Sequence, residues 1–207
     1  MSTNAISSPP ARVATVAELR DLITAHGNVS PEYATKMFHP VPDLPTVKDR
    51  AGYLVAKATG RIVLDVGCVG QISANIKAVA KAYYGIDKAN GNGWATVDVD
   101  HAPHEMPVYP DVDLIIASEL LEHLANPGYF LAMLRDKYPG IPVYITVPCA
   151  CGYQVRNDCE VVNKDHVAWY SYTTLNTLLT RYGYAIQEAR WYNGQPHKAE
   201  GLIALVK

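Results

Sequence analysis

The segment Ile62-Val63-Leu64-Asp65-Val66-Gly67-Cys68-Val69-Gly70 decides how the chain is read. Ile62-Val63-Leu64 is a β-branched apolar run, short enough for a buried strand and ended by Asp65. Gly67 to Gly70 is a turn of small residues. A helix follows through Ile72, Ile76, Val79 and Ala80, which recur at helical spacing. Strand, glycine turn and helix set the pattern for everything downstream.

Tyr83-Tyr84-Gly85-Ile86 is a second strand ending at Asp87, and Trp94 to Val97 a third ending at Asp98. Asp113-Leu114-Ile115-Ile116-Ala117 is a fourth, running into Ser118-Glu119. Asn126-Pro127 starts a helix, with Asn as the cap and Pro at the first helical position; Phe130, Leu131 and Leu134 carry it to Gly140. Val143 to Val147 is a fifth strand. Ser171 caps a helix through Leu175, Leu178, Leu179 and Tyr182, stopped by Gly183. Two strands close the chain, Ala185 to Tyr192 and Leu202 to Val206. This alternation predicts an α/β fold: a seven-stranded, mostly parallel sheet with helices on both faces and an antiparallel last strand. Ligands of such sheets bind at the carboxyl ends of the strands. Here those ends carry Asp65, Asp87, Asp98 and Ser118-Glu119.

Upstream, Val16, Leu19, Leu22 and Ile23 predict a helix over Val13 to His26, stopped by Gly27. Residues 28–48 hold Pro31, Pro40, Pro42 and Pro45 and few periodic apolar positions, as expected of an ordered wrap or lid. Arg50 to Ala58 reads as a short helix. The division is therefore an N-terminal helical extension or lid, residues 1–49, and a ligand-binding domain, residues 50–207.

Composition narrows the classes. The 207 residues are 49% hydrophobic and 18% charged, which suits one domain with its own core and excludes a disordered chain. Eighteen Lys and Arg stand against 20 Asp and Glu, a net charge of -2, so nothing favours a phosphate backbone or an anionic membrane as partner. The first ten residues lack the basic-then-apolar pattern of a secretory signal, and no apolar run approaches the roughly 20 residues of a membrane helix. A soluble, cytoplasmic protein is expected. Four Cys do not make a disulfide framework at this length. Cys149, Cys151 and Cys159 with His166 match no standard zinc spacing, so they are read as buried or loop thiols and no metal is expected.

Taken together, the segments resemble the class I S-adenosylmethionine-dependent methyltransferases. Val63 to Gly70 corresponds to the first motif of that family, followed by Gly85-Ile86-Asp87 and Asp98-Val99. Then come Ala117-Ser118-Glu119-Leu120-Leu121-Glu122-His123-Leu124 with Asn126-Pro127, His166-Val167-Ala168-Trp169-Tyr170-Ser171, and Leu178-Leu179 with Gly183-Tyr184. The likeness spans about residues 50 to 207 with order and spacing kept. It implies a Rossmann-like sheet and a transferase that uses S-adenosyl-L-methionine. By the resemblance, Gly67, Cys68, Val69 and Gly70 form the cofactor turn and Asp65 orients it. Asp87 would accept both ribose hydroxyls and Asp98 the adenine amino group, with Val99 against the ring. Ser118 and Glu119 would lie beside the methionine part. The chain departs from the family at Val69 and Gln71, where glycines are usual, which touches affinity more than fold. Those departures also motivate a second hypothesis, a catalytically silent cofactor-binding or scaffold protein. A nucleotide-dependent oxidoreductase is the third. Its G-x-G-x-x-G fingerprint would fall on Gly67, Val69 and Ile72 and lose the glycine cradle of a pyrophosphate.

The acceptor follows by exclusion. The Asn/Asp-Pro-Pro-aromatic motif of amino-type base methylation is absent after the fourth strand, and Pro148-Cys149 follows the fifth strand instead. That points away from nucleic acid and leaves a small molecule or a sugar; the stretch from His166 to Tyr184 resembles the branch of the family that acts on sugars and other small secondary metabolites, which implies a small hydroxylated acceptor. Such an alcohol needs alignment and a base. His166 is the expected base and His123 the runner-up. Asp165 adjoins His166 but points to the opposite face of an extended segment, so the two are not a dyad. The oligomeric state stays open, a homodimer among the options. Fourteen Tyr against two Phe is a lopsided aromatic set, and Tyr153 and Tyr170 are expected as acceptor-side walls.

Overall fold

The computed structural model describes residues 41–89, 94–150, 163–193 and 200–207, together with Ala17, Glu18 and Asp21. The chain forms two compact units, Met1–Val41 and Pro42–Lys207. In the first, Ala17, Glu18 and Asp21 are helical; the rest of the helix expected over 13–26 lies outside the described residues.

The second unit is built on one sheet. Its strands are β1 (Thr46–Val47), β2 (Ile62–Val66), β3 (Ala82–Asp87), β4 (Ala95–Thr96), β5 (Leu114–Ser118), β6 (Val143–Pro148), β7 (Ile186–Tyr192) and β8 (Gly201–Val206). The helices are α1 (Arg50–Ala58), α2 (Gln71–Val79), α3 (Pro127–Lys137) and α4 (Tyr172–Arg181). The order across the sheet is β1-β7-β8-β6-β5-β2-β3-β4. Among the described strands only β8 runs against its neighbours, pairing antiparallel with both β6 and β7. The seven strands read from the sequence are all present. The eighth, β1, comes from residues assigned to the N-terminal extension and pairs parallel with β7, Thr46 opposite Trp191.

Period-two alternation in β2 sorts the two faces. Val63 packs with Leu54 and Ala58 of α1, Ile76 of α2, and Ile116. Leu64 and Val66 turn the other way, toward Phe130, Leu131 and Leu134 of α3 and Leu175 and Leu179 of α4. Each wholly buried aliphatic side chain contributes about 1.5–3 kcal/mol, so both helix layers are held chiefly by this burial. The caps read from the sequence are made. Asn126 Oδ1 accepts from the Tyr129 amide at 3.1 Å. Ser171 and Thr174 form a reciprocal capping box.

The consequence for function is positional. The central parallel strands β3, β2 and β5 all end at the same edge of the sheet. Asp87 and Ser118 close β3 and β5 there, and the Gly67–Gly70 turn leaves β2.

Candidate functional site

A cleft of about 530 Å³ opens at that edge. Gly67, Asp87, Asp98, Val99, Glu119, Leu120, His123 and Asp165 line it, with Lys88, Asp100, His101 and Leu124. Its volume falls in the range of small-molecule sites.

The floor is the turn after β2. Gly67 sits at φ +80, and its amide donates to the Ile86 carbonyl at 2.8 Å. A Cβ there would meet the Leu120 side chain at 3.3 Å, so only glycine lets the backbone line the cleft. Gly70, at φ +131, precedes α2. The departures at 69 and 71 leave this cradle clear. Val69 is 57% exposed, and Gln71 bonds to Asn75 along α2. Asp65 is 2% exposed and lies beneath the turn, accepting from the Tyr83 hydroxyl at 2.8 Å. Burial pushes its carboxyl up to about 6; bonds from Ser73 and Tyr83 oppose this, and the charge of Asp87 adds to it. Cys68 is buried too, its Sγ close behind Gly85, so only its backbone is open to a ligand.

Two acids stand along the cleft wall. Asp87 ends β3, and its Oδ1 accepts the Ala89 amide at 2.7 Å. Asp98 caps its own loop. Oδ1 accepts the amides of Asp100 at 3.0 Å and His101 at 3.3 Å, and Oδ2 lies 3.0 Å from His101 Nδ1. Burial raises its carboxyl, but these bonds together outweigh it and hold the group below its ordinary value. Val99 beside it is buried but reaches the cleft.

At the end of β5, Glu119 takes a left-handed backbone, φ +51, rare for a residue with a side chain. Its surroundings hold it there. Its amide donates to the Thr146 carbonyl at 2.9 Å. Oε1 accepts from Thr146 at 2.9 Å and Tyr192 at 3.0 Å, and Arg50 Nη1 lies 2.7 Å away. Arg50 also sits over the Tyr192 ring, 5.1 Å from its centre. Ser118 faces Thr146, the hydroxyls 3.0 Å apart.

The next turn, the 3-10 segment Leu121–His123, carries a second cluster. Glu122 is 0% exposed, and neither of its carboxylate oxygens has a hydrogen-bond partner among the described residues. Burial, then the charge of Glu119, pushes its carboxyl up to about 8. His123 Nδ1 lies 3.0 Å from the Asp165 carbonyl. The His166 ring meets the His123 ring edge to face, 4.7 Å between centres. Burial and His123 lower the His166 pKa.

Of the residues singled out in the sequence, Gly67, Asp87, Asp98, Val99, Glu119 and His123 meet in the cleft, and His166 packs behind His123. Asp65 and Cys68 lie under the floor, Val69 on the outside, Gly70 at the helix start and Ser118 against β6. Tyr170 does not form a wall. It is buried, its hydroxyl directed at the Leu121 carbonyl at 3.4 Å. Tyr153, Cys151 and Cys159 lie outside the described residues, and Cys149 is buried. Sequence reasoning missed Arg50, Tyr192 and Glu122. The first two lie far along the chain from Glu119; for Glu122, its place beside His123 was the available signal.

A family model described as "Methyltransferase domain" matches residues 33–189. Among solved structures, the chain is similar to an S-adenosylmethionine-dependent methyltransferase from Archaeoglobus fulgidus, with 14% identity, 76% of this chain and 94% of that one covered, and a TM-score of 0.57. It is also similar to 1,6-didemethyltoxoflavin-N1-methyltransferase from Burkholderia thailandensis, with 14% identity, 96% and 92% coverage, and a TM-score of 0.57. A third is the small RNA methyltransferase HEN1, with 15% identity, 76% and 24% coverage, and a TM-score of 0.63. No curated protein matches the chain in sequence.

Proposed function

The chain belongs to the methyltransferase-domain family, S-adenosyl-L-methionine-dependent enzymes of the class I fold, and from that premise we propose that it methylates a small hydroxylated acceptor, a sugar or secondary metabolite. When bound, the cofactor supplies an electrophilic methyl group on a sulfonium, so that the C–S bonding pair leaves on a neutral thioether.

The residues fit that cofactor. The bare backbone at Gly67 and the outward Val69 leave room for an amino-acid tail, and Asp87 presents a carboxylate for a ribose diol. Asp98, with both oxygens already engaged by its loop, would offer its remaining lone pairs to an adenine amino group, and Val99 an apolar surface to the ring. Asp65 steadies the turn from below. Glu119 and Ser118 stand where the sulfonium end would lie, in a site of negative potential suited to a cation.

The observation that carries the acceptor class is the charge of the cleft. Among the described residues, Asp87, Asp98, Asp100, Glu119 and Asp165 line it against one lysine, Lys88. A phosphodiester backbone would be repelled; an uncharged hydroxylated molecule would not. Support for a small-molecule acceptor, though not for its hydroxyl, also comes from the 1,6-didemethyltoxoflavin-N1-methyltransferase, a neighbour whose coverage is nearly complete in both chains. Acceptor deprotonation is assigned to the His123–His166 pair. Trp169, 6.5 Å from His166 and partly exposed, offers the acceptor an apolar face.

The test is thermal stabilisation by S-adenosylmethionine, S-adenosylhomocysteine and NAD side by side, then a hydroxylated-acceptor screen followed by detection of S-adenosylhomocysteine. Stabilisation by the first two and not by NAD is expected. Turnover on an oligonucleotide but on no small alcohol would overturn the acceptor class.

A further inference from the structure

We propose that Glu122, His123 and His166 form a binding site for a first-row divalent transition-metal ion at the acceptor end of the cleft. The inference deepens the methyl-transfer reading and rests on it.

The geometry comes first. One ligand atom from each of the three residues lies within 4.8 Å of the others. Metal–ligand bonds of about 2.0–2.2 Å place tetrahedral donors roughly 3.5 Å apart. Closure around an ion therefore needs movements of about an ångström, within reach of side-chain torsions. The backbone already holds the two segments together. The amides of Val167 and Ala168 both donate to the Glu122 carbonyl, at 2.8 and 3.3 Å, and so bring His166 onto the 121–123 turn.

The second observation is the state of Glu122. Its carboxylate is fully buried, and neither oxygen has a hydrogen-bond partner among the described residues. A buried carboxylate requires compensation, by a proton or by a cation. Glu119 nearby already carries Arg50 at 2.7 Å. Near Glu122 stands a nitrogen rather than a fixed cation, His123 Nε2, 4.0 Å from Oε1.

The third is the tautomer of His123. A carbonyl oxygen only accepts, so the bond to Asp165 requires Nδ1 to carry the proton. In the neutral ring that leaves Nε2 with its lone pair on the side of Glu122, 4.0 Å from Oε1. A histidine whose second nitrogen donates to a backbone carbonyl is oriented as metal-binding histidines are.

Two imidazoles and one carboxylate favour zinc, cobalt or a neighbouring ion over magnesium or calcium, which prefer all-oxygen shells. Three protein ligands leave a position open, and His123 lines the cleft, so that position faces the acceptor. An acceptor hydroxyl placed there would be oriented and would lose its proton to water more readily. The acceptor oxygen then supplies the electron pair of the new O–CH3 bond while the C–S pair leaves with sulfur. The two histidines thus serve the deprotonation assigned to them through the ion they hold.

The test is titration of Co2+ into chelator-treated full-length protein, with S-adenosylhomocysteine affinity measured on the same samples. Expected are visible cobalt d–d bands saturating at one equivalent, displacement by Zn2+, and a loss of Co2+ affinity of at least tenfold in both His166→Ala and Glu122→Gln, with S-adenosylhomocysteine binding retained. Protein that binds S-adenosylhomocysteine but shows no cobalt bands would overturn the metal site and leave the methyl-transfer reading standing. Cobalt binding unchanged in His166→Ala, a substitution in a partly exposed segment, would overturn it equally, whether or not Glu122→Gln folds. Loss of S-adenosylhomocysteine binding in the wild type would instead overturn the methyl-transfer reading.

Discussion

The Tyr83 hydroxyl donates to Asp65 Oδ2 at 2.8 Å, tying β3 to β2 directly beneath the Gly67–Gly70 turn. Burial holds the Asp65 carboxyl at about 6, above the roughly 3.9 of an unfolded chain. Its stabilising contribution is therefore complete below about pH 4 and is lost as pH rises through 6. Two pH units correspond to about 3 kcal/mol. Asp65→Asn is expected to gain stability over wild type at pH 7.5, by up to that amount, and to gain little at pH 4. Urea unfolding at the two pH values measures the difference.

Asp87 is the residue whose removal should weaken the cofactor most cleanly. In the proposed placement of the cofactor, its loss leaves the ribose hydroxyls without a charged acceptor, an effect of about 1.5–3 kcal/mol. Asp87→Ala is expected to bind S-adenosylhomocysteine about 10- to 100-fold more weakly by calorimetry. Unchanged affinity would remove the ribose assignment.

At Gly67 the positive φ and the nearness of Leu120 act together. A left-handed backbone costs a residue with a side chain about 1–2 kcal/mol, and the added Cβ must also displace Leu120. Gly67→Ala is expected to lower the midpoint of thermal unfolding and to lose cofactor affinity.

Arg50 joins α1 to the end of β5 through Glu119. Removing it strands a half-buried carboxylate beside Tyr192 in a strained backbone position. Arg50→Ala is expected to cost about 1–3 kcal/mol in urea unfolding, and Arg50→Lys less. Equal stability of all three proteins would mean that the pair does not hold the Glu119 conformation.

The strands of the core were legible because Ile62 to Leu64 and Leu114 to Ala117 are continuous apolar runs punctuated by acids and glycines. β1 was not, since Thr46-Val47 lies among prolines with no period to betray it; its pairing with β7 is made by tertiary contact. The acids at the strand ends were legible for the same topological reason that the strands were. Contacts distant in sequence were not. Arg50 reaches Glu119 because α1 packs over the sheet, and His166 meets His123 through the hydrogen bonds of residues 167 and 168 to Glu122 and of His123 to the Asp165 carbonyl. Tyr170 shows the opposite failure. Its polar tip suggested a cleft wall, and a backbone carbonyl in the core satisfies that tip instead.

The outermost strands β1 and β4 are each two residues long. An exposed strand edge is a template onto which another polypeptide can extend a sheet. Two-residue margins offer too short a ladder of free amides and carbonyls for such growth to be stable. Growth of the sheet would have to begin instead on Ala82–Gly85 of β3 or Ile186–Arg190 of β7, whose outer edges lie beyond these margins and pair with no described strand.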